Sequence, residues 1–246
     1  MSEFVFVMAF SFCLFFPFCS RAAEMHLTSD TMRYEPDKGM IYAEDNVRFT
    51  RGDMIISADK GDGTIDGKTV RFINNVKGEG TWSGEKVEFF CNWAEAKFGS
   101  EISYSLQGNV DCSVGNRTIS AEKLIIKGEK FSAFKVVKFS DPSRGIQLSC
   151  HTINGVLSKG EIVESVAIGD VRIVLEGKDN ISTFINGDKA VYSKDRGSVV
   201  VTGHAKALQD QRSIKAESLV FFPDSNRIEA IGKSTLTIEQ TGEKGN

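Results

Sequence analysis

The feature that most constrains this chain is a pattern that returns about every 30 residues. In each of six copies, an Asn-, Asp- or Gly-type turn runs into a short strand in which apolar and polar residues alternate. The copies start at Asn46-Val47, Asn75-Val76, Asn109-Val110, Val136-Val137, Asp170-Val171 and His204-Ala205. Self-similarity at a period of 20–50 residues is typical of stacked units that bury their apolar faces only against one another. The repeat therefore predicts an extended surface rather than one catalytic pocket.

A second mark runs out of phase with the first, and consists of a small residue, an acid and usually a lysine. It stands at Ala58-Asp59-Lys60, Gly84-Glu85-Lys86, Ala121-Glu122-Lys123, Gly187-Asp188-Lys189 and Ala216-Glu217-Ser218. Two interpretations stay open for the lysines Lys60, Lys86, Lys123 and Lys189. They are contacts for lipid phosphates, or they are solvated residues at strand ends.

The alternation predicts the fold class. A period of two indicates strands with one buried and one solvated face, and the short polar connections favour antiparallel neighbours because a parallel crossover needs a dozen or more residues. We therefore predict an all-β chain, an elongated antiparallel β-jelly roll or open β-sandwich of two facing sheets. Gly52-Asp53 predicts a two-residue hairpin turn. No segment of 10–12 residues has a convincing helical period. The nearest is Glu85 to Lys97, where Phe89-Phe90 and Trp93 are compatible with a short helix, although Val87 to Cys91 alternates as a strand.

The N-terminus has the composition of a targeting segment. Residues 4–19 are almost wholly apolar, which is short for a membrane span and fits a secretory signal followed by Ser20-Arg21-Ala22. We predict a signal peptide at 1–23, one β-jelly-roll domain at 24–240, a flexible tail at 241–246, and a periplasmic location. Since Glu3 is the only charged residue before the apolar run, an uncleaved inner-membrane anchor stays the alternative.

Charge and cysteine content exclude several classes of protein. A net charge of −3 gives no general attraction for nucleic acid. Beyond the signal, Cys91, Cys112 and Cys150 remain, so a disulfide framework is excluded, and either buried thiols or a single bridge are expected.

Residues with catalytic or metal-binding chemistry do not fall into a recognisable arrangement. His26, His151 and His204 are far apart in the sequence, and Cys150-His151 is a single adjacent pair. The stretch from Asp62 begins like a calcium loop, but its twelfth position is Ile73 instead of Glu. We therefore expect no enzyme activity, no metal and no cofactor.

One stretch carries a resemblance to a known family. Ser29–Tyr34, Gly39–Ala43, Asn46–Phe49 and Gly52–Lys60 together resemble the OstA-like repeat of the lipopolysaccharide-transport proteins LptA, LptC and the N-terminal part of LptD. Partial copies follow at Gly108-Asn109-Val110 and Gly203-His204-Ala205. The resemblance is strong over residues 29–60 and weak between about 130 and 165, where either a degenerate repeat or a break in the groove is expected.

The resemblance implies a β-jelly roll that carries lipopolysaccharide across the periplasm with the lipid A acyl chains in an apolar groove. It also implies end-to-end strand contacts with an LptC-like inner-membrane protein, an LptD-like outer-membrane protein, or further copies of the chain. The physical reason for a groove is the cost of exposing acyl chains. At about 0.8 kcal/mol for each CH₂ group, a chain of around 14 carbons costs on the order of 10 kcal/mol in water.

Apolar residues on the predicted inner faces are the candidates for such a groove. They are Phe49, Met54, Ile56, Phe72, Ile119, Ile126, Val171, Ile173 and Phe221. For each of them, ordinary core packing is the alternative. Two other functions stay open for the whole chain, a secreted β-solenoid enzyme acting on polysaccharides, which needs convergent carboxylates on one rung, and a structural scaffold or adhesin with a closed core.

Overall fold

The computed structural model describes residues 24–176, 182–225 and 227–238, and almost all of them lie in antiparallel strands. Short 3₁₀ turns occupy Pro36–Lys38, Pro142–Arg144 and Pro223–Ser225. The strands are β1 (Met25–Thr28), β2 (Thr31–Glu35), β3 (Met40–Arg51), β4 (Met54–Thr64), β5 (Thr69–Trp82), β6 (Glu85–Phe98), β7 (Ile102–Val114), β8 (Arg117–Lys127), β9 (Lys130–Asp141), β10 (Ile146–Ser158), β11 (Glu161–Glu176), β12 (Ser182–Ser193), β13 (Ser198–Gln209), β14 (Arg212–Phe222), β15 (Arg227–Ile231) and β16 (Thr235–Ile238).

The sheet follows the order of the chain. From β3 to β15 each strand pairs with its neighbours in sequence, always antiparallel. At the two ends, β1 and β2 both pair with β3, and β15 and β16 both pair with β14, so each pair forms one interrupted outer strand. The prediction of an all-β, elongated antiparallel jelly roll is confirmed, and so is the hairpin turn at Gly52-Asp53.

Each long strand bends near its middle at a β-bulge, which we call the corner. Between β3 and β4 the register passes from Glu44 opposite Lys60 to Val47 opposite Ala58, so that two residues face one. The corner residues of the odd-numbered strands have φ between 46° and 52°, in the left-handed region. These residues are Asn46, Asn75, Asn109, Lys135, Asp170 and His204. Asn is tolerated there better than most residues, which explains its recurrence in the repeat.

Apart from Gly84-Glu85-Lys86, which lies at the turn before β6, the two sequence marks stand on the two sides of these corners. The amide of Asn75 donates a hydrogen bond to Asp59 Oδ2 at 2.8 Å, and His204 Nδ1 lies 2.9 Å from Asp188 Oδ2. At Gly108, which has φ of +77°, an added Cβ would lie 2.9 Å from Asn92 Nδ2 of the facing strand. The predicted strand starts were therefore wrong, because they lie in the middle of strands and a left-handed Asn resembles a turn in sequence.

The bend also changes how the two layers arise. We predicted two facing sheets, but one continuous sheet folds along the line of corners, and every long strand contributes half of its length to each layer. Phe49 lies in one layer and Phe72 in the other, with ring centroids 5.6 Å apart. Inward residues from both halves form one hydrophobic core along the molecule.

The structure settles two regional expectations. Glu85 to Lys97 belongs to strand β6, as the alternation at Val87 to Cys91 predicts, and its partial likeness to a helix arises because the bulge reverses the alternation there. The inward residues pass from Cys91 to Ala94, a spacing of three that imitates a helix. Strands β9 and β10, in the region of the weak copy, are fully paired, so the weak copy is a degenerate repeat.

Parts of the sequence predictions fall outside the described residues. The proposed signal at 1–23 and the tail at 241–246 are among them. Within the described ranges, no helix has the length and apolar character required to cross a membrane. The described cysteines Cys91, Cys112 and Cys150 are buried free thiols, which is the first of the two alternatives.

Candidate functional site

The side of the molecule opposite the corners is where the two layers end in rows of turns. We call these rows the lips. The first lip consists of the turns at 52–53, 83–84, 115–116, 142–145 and 210–211. The second lip consists of the turns at 65–68, 99–101, 128–129, 159–160, 194–197 and 223–225. Each long strand runs from one lip to the other and bends at its corner. The backbone therefore closes the space between the layers at the corners, and side chains close it at the lips.

Three apolar cavities lie between the layers and join end to end, and we call the joined space the cleft. The first is lined by Met54, Thr81, Trp82, Val87, Phe89, Ile102, Tyr104, Leu106, Cys112, Val114, Ile126 and Gly128. The second is lined by Trp82, Cys112, Val114, Arg117, Thr118, Ile119, Leu124, Ile126, Phe131, Phe139, Leu157, Gly160 and Ile162. The third is lined by Phe139, Asp141, Arg144, Ile146, Leu148, Ile153, Ile162, Ser165, Ala167, Ile173, Leu175, Ala190, Tyr192 and Val199.

Shared residues show that the three cavities adjoin one another. Trp82 and Ile126 line both the first and the second cavity, and Phe139 and Ile162 line both the second and the third. Every strand from β4, through Met54, to β13 contributes to the lining. Nine strand spacings of about 4.8 Å make the cleft roughly 43 Å long.

All nine residues predicted for the groove face the interior, but only some of them line the cleft. Met54, Ile119, Ile126 and Ile173 do so. Phe49 and Phe72 are buried and border a separate, more polar cavity at the N-terminal end. The remaining three, Ile56, Val171 and Phe221, are buried core residues.

Several cleft residues were not among the candidates. Trp82, Val114, Phe139 and Ile162 lie near the ends of strands, on the same inward face as the residues that were chosen. These residues are identified when the alternation of inward and outward positions is followed to the end of each strand. The layers diverge towards the lips, so that the space lies there rather than at the corners.

Aromatic rings from both layers meet near the N-terminal end of the interior, and we call this group the plug. Phe49 stacks on Phe98 with centroids 6.5 Å apart, and Phe98 meets Tyr104 edge to face at 6.4 Å. Phe72 completes the group through its contact with Phe49. Such ring pairs contribute about 0.5–1.5 kcal/mol each beyond their burial, so the plug joins the layers firmly.

Three arginines of the first lip reach across to the second. The guanidinium of Arg51 lies 3.7 Å from the ring centroid of Phe98. Arg117 Nη1 donates a hydrogen bond to the carbonyl oxygen of Gly160 at 3.1 Å. The third arginine, Arg144, stands 5.5 Å from the ring of Tyr192. The mouth of the cleft is thus spanned by cationic side chains that all come from one lip.

The three arginines differ in their acidic partners. Arg117 pairs with Glu85, and Arg144 Nη1 lies 3.2 Å from Asp141 Oδ2, a carboxylate that also accepts a hydrogen bond from Ser143. For Arg51, no carboxylate of the described residues lies within ion-pair distance. The guanidinium of Arg51 instead contacts the face of the Phe98 ring.

The lysines of the second sequence mark lie elsewhere. Lys60, Lys123 and Lys189 follow the corners on the outer face, and Lys86 stands on the outer face of β6, where it pairs with Glu88 at 2.6 Å. Lys60 Nζ lies 3.5 Å from Glu44 Oε1. The cations at the cleft are therefore arginines that the repeat pattern does not mark.

The three thiols are unreactive by environment. Burial raises the pKa of Cys91 and of Cys150 to about 11, and the pKa of Cys112 to about 12. Since the thiolate is the nucleophile, the thiols are almost wholly protonated at neutral pH. Cys112 alone of the three lines the cleft.

Comparison with known proteins supports the resemblance drawn from the repeat. Residues 19–80 match the family described as "Lipopolysaccharide-assembly, LptC-related". No curated protein sequence matches the chain. Among solved structures, LptH, the LptA homologous periplasmic component of the lipopolysaccharide transport device from Pseudomonas aeruginosa, aligns at 10% identity and a TM-score of 0.25, over 89% of this chain and 98% of that one. Residues 19–80 are thus similar to the LptC-related family, and this match confirms the resemblance to the lipopolysaccharide-transport proteins that the repeat predicts.

Proposed function

We propose that this protein carries lipopolysaccharide across the periplasm, with the acyl chains of lipid A in the cleft. The observation that carries this proposal is the row of adjoining apolar cavities that is lined from Met54 to Val199 along ten strands. A closed core leaves no such space, because protein interiors pack without voids of this extent. The LptC-related match adds the class of molecule to the shape of the site.

The cleft is suited to a guest that has long apolar chains and a polar head. Side chains, rather than backbone, close the mouth, so a chain enters sideways without breaking the hydrogen bonds of the sheet. The guest gains about 0.8 kcal/mol for each CH₂ group removed from water. The polar head stays at the lips, where the arginines stand.

The two ends of the sheet provide the route between membranes. Among the described residues, β1 with β2, and β15 with β16, are outer strands with one unpaired edge each. Such edges accept a strand from another chain. We propose that LptC-like and LptD-like proteins, or further copies of this chain, extend the cleft end to end by this pairing.

The lining of the cleft supports a carrier better than it supports a polysaccharide-active enzyme. Among the described residues that line the cleft, the acid is Asp141, which is held by Ser143 and Arg144 at a turn of the first lip. A glycosidase of the usual kind uses two carboxylates on either side of the scissile bond. We therefore propose a carrier that has no chemistry of its own.

Photo-crosslinking with a matched control tests the carrier proposal. A crosslinking amino acid at Ile126 faces the cleft, and the same residue at the adjacent Ile125 faces outward. We expect purified lipopolysaccharide to crosslink to the protein labelled at position 126 and not to the protein labelled at 125. Equal labelling at both positions, or none at 126 in a folded protein, would refute the proposal.

A further inference from the structure

We propose that Arg51 is a subsite for the anionic phosphate head of an amphiphile whose chains lie in the first cavity of the cleft. The inference rests on the proposed function, because it assigns the head of the guest to one side chain at the mouth. It concerns the step at which the contact between Arg51 and Phe98 is exchanged for a contact with the ligand.

Arg51 stands beside the first cavity of the cleft. It is the last residue of β3 and continues the inward alternation of Val47 and Phe49, so its side chain points between the layers. Its neighbour across the strand pair is Met54, which lines the first cavity. A ligand with its chains in that cavity places its head beside Arg51.

The charge of Arg51 distinguishes it from the other two arginines at the mouth. In the described ranges it has no carboxylate within ion-pair distance, whereas Arg117 is held by Glu85 and Arg144 by Asp141. Asp53, two residues away, accepts a hydrogen bond from Thr81 instead. The guanidinium presents a planar set of donors that fits phosphate oxygens in pairs.

The contact of Arg51 with Phe98 can be exchanged for a contact with a phosphate. A cation over an aromatic face is a modest attraction, about 0.5–1 kcal/mol at exposed sites, and a phosphate offers a charge-assisted hydrogen bond in its place. Burial raises the pKa of Tyr104, and the positive charge of Arg51 opposes part of that rise while the Asp53 carboxylate adds to it. Arg51 is therefore close enough to interact with Tyr104, which lines the first cavity. The arginine thus joins the lips in the free protein and is released from Phe98 by an anionic head.

Paired amphiphiles separate this inference from the proposed function. The probes are dodecyl phosphate and dodecyl maltoside, which share one chain and differ in the head, and binding is measured by displacement of a fluorescent fatty acid from the wild-type protein, Arg51→Met and Arg117→Met. Arg51→Met keeps an apolar stem over Phe98 and removes the charge. Inorganic phosphate at the same concentration serves as a further arm and distinguishes a lipid head from the free ion.

We expect Arg51→Met to weaken the binding of dodecyl phosphate by about tenfold and to leave the affinity for dodecyl maltoside unchanged. Arg51→Lys should recover part of the preference, and inorganic phosphate should displace nothing. An unchanged preference for the phosphate in Arg51→Met, or the same loss of preference in Arg117→Met, would overturn the subsite and leave the carrier intact. Displacement by inorganic phosphate alone would indicate a simple ion site and would also overturn it. Failure of the wild-type protein to bind either amphiphile would refute both proposals.

Discussion

The plug near the N-terminal end and the cleft in the middle belong to the same folded sheet, yet they differ in how the two layers meet. In the plug, Phe49, Phe72 and Phe98 reach across from both layers and their rings contact one another. The cleft is lined by aromatic residues such as Phe139 together with aliphatic residues such as Ile162, and cavities remain between the layers. Within one repeating frame, the side chains thus decide whether the layers touch through their rings or leave a cavity.

The same comparison shows what the family resemblance detects. The LptC-related match covers residues 19–80, which contain two well-marked corners and part of the plug. Most of the cleft lies beyond it, including strands β9 and β10, where the repeat is weak. Corner residues are constrained by backbone conformation, whereas lining residues need only be apolar and of suitable size. The recognisable pattern therefore marks the frame of the molecule rather than the site.

Truncation of one residue in each region gives the largest expected difference. Phe49→Ala should lower the free energy of unfolding by about 3–5 kcal/mol, because it removes a buried ring together with its contacts to Phe72 and Phe98. Ile126→Ala should cost only about 1–2 kcal/mol, since that side chain already borders open space. Urea denaturation of both variants measures the two values. Equal losses would contradict the distinction between plug and cleft.

The thiols provide a comparison with an internal control. Because its pKa is about 12, Cys112 reacts slowly with a small alkylating reagent at pH 8, and the rate should still rise with pH up to about 10 as more thiolate forms. Bound amphiphile should slow the labelling of Cys112 several-fold and leave Cys150, which does not line the cleft, unaffected. Mass spectrometry of the labelled peptides gives both rates. Equal protection of the two thiols would indicate a general stabilisation of the fold instead of occupancy of the cleft.

The corners allow a finer test between the regular and the weak repeat. Lys135 and Asn109 have φ of 50° and 51°, a conformation that Asn adopts more readily than Lys. Lys135→Asn should therefore raise the free energy of unfolding by about 0.5 kcal/mol, and Asn109→Lys should lower it by a similar amount or more. Thermal unfolding of both variants checks the signs. A loss of stability in Lys135→Asn would show that this corner differs from the others in more than its residue type.

The sequence predicted the fold class well because alternation and short connections depend on local chemistry. Inward positions such as Ile119 and Ile126 follow from the same alternation. The corner was misinterpreted because Asn in the left-handed region has the same signature inside a bulge as in a turn. The helix-like spacing within Glu85 to Lys97 has a related cause, since a bulge shifts the alternation by one residue.

Other features of the site were beyond reach from sequence. Whether Phe49 or Ile126 borders a space depends on how far the layers stand apart, and that distance is set by all of the facing side chains together. The contact of Arg51 with Phe98 joins residues that lie 47 positions apart, so no local pattern contains it. Sequence thus identified which residues face inward, and the folded geometry separated the core from the cleft.

The central claim, that the cleft holds acyl chains, is tested most directly by blocking it. Ile126→Trp places a bulky ring where the first and second cavities join, and Ile125→Trp places the same ring on the outer face of the adjacent position. The measurement is the affinity of each folded variant for lipopolysaccharide. We predict a loss of at least tenfold for Ile126→Trp and wild-type affinity for Ile125→Trp. Undiminished binding by Ile126→Trp would contradict the account.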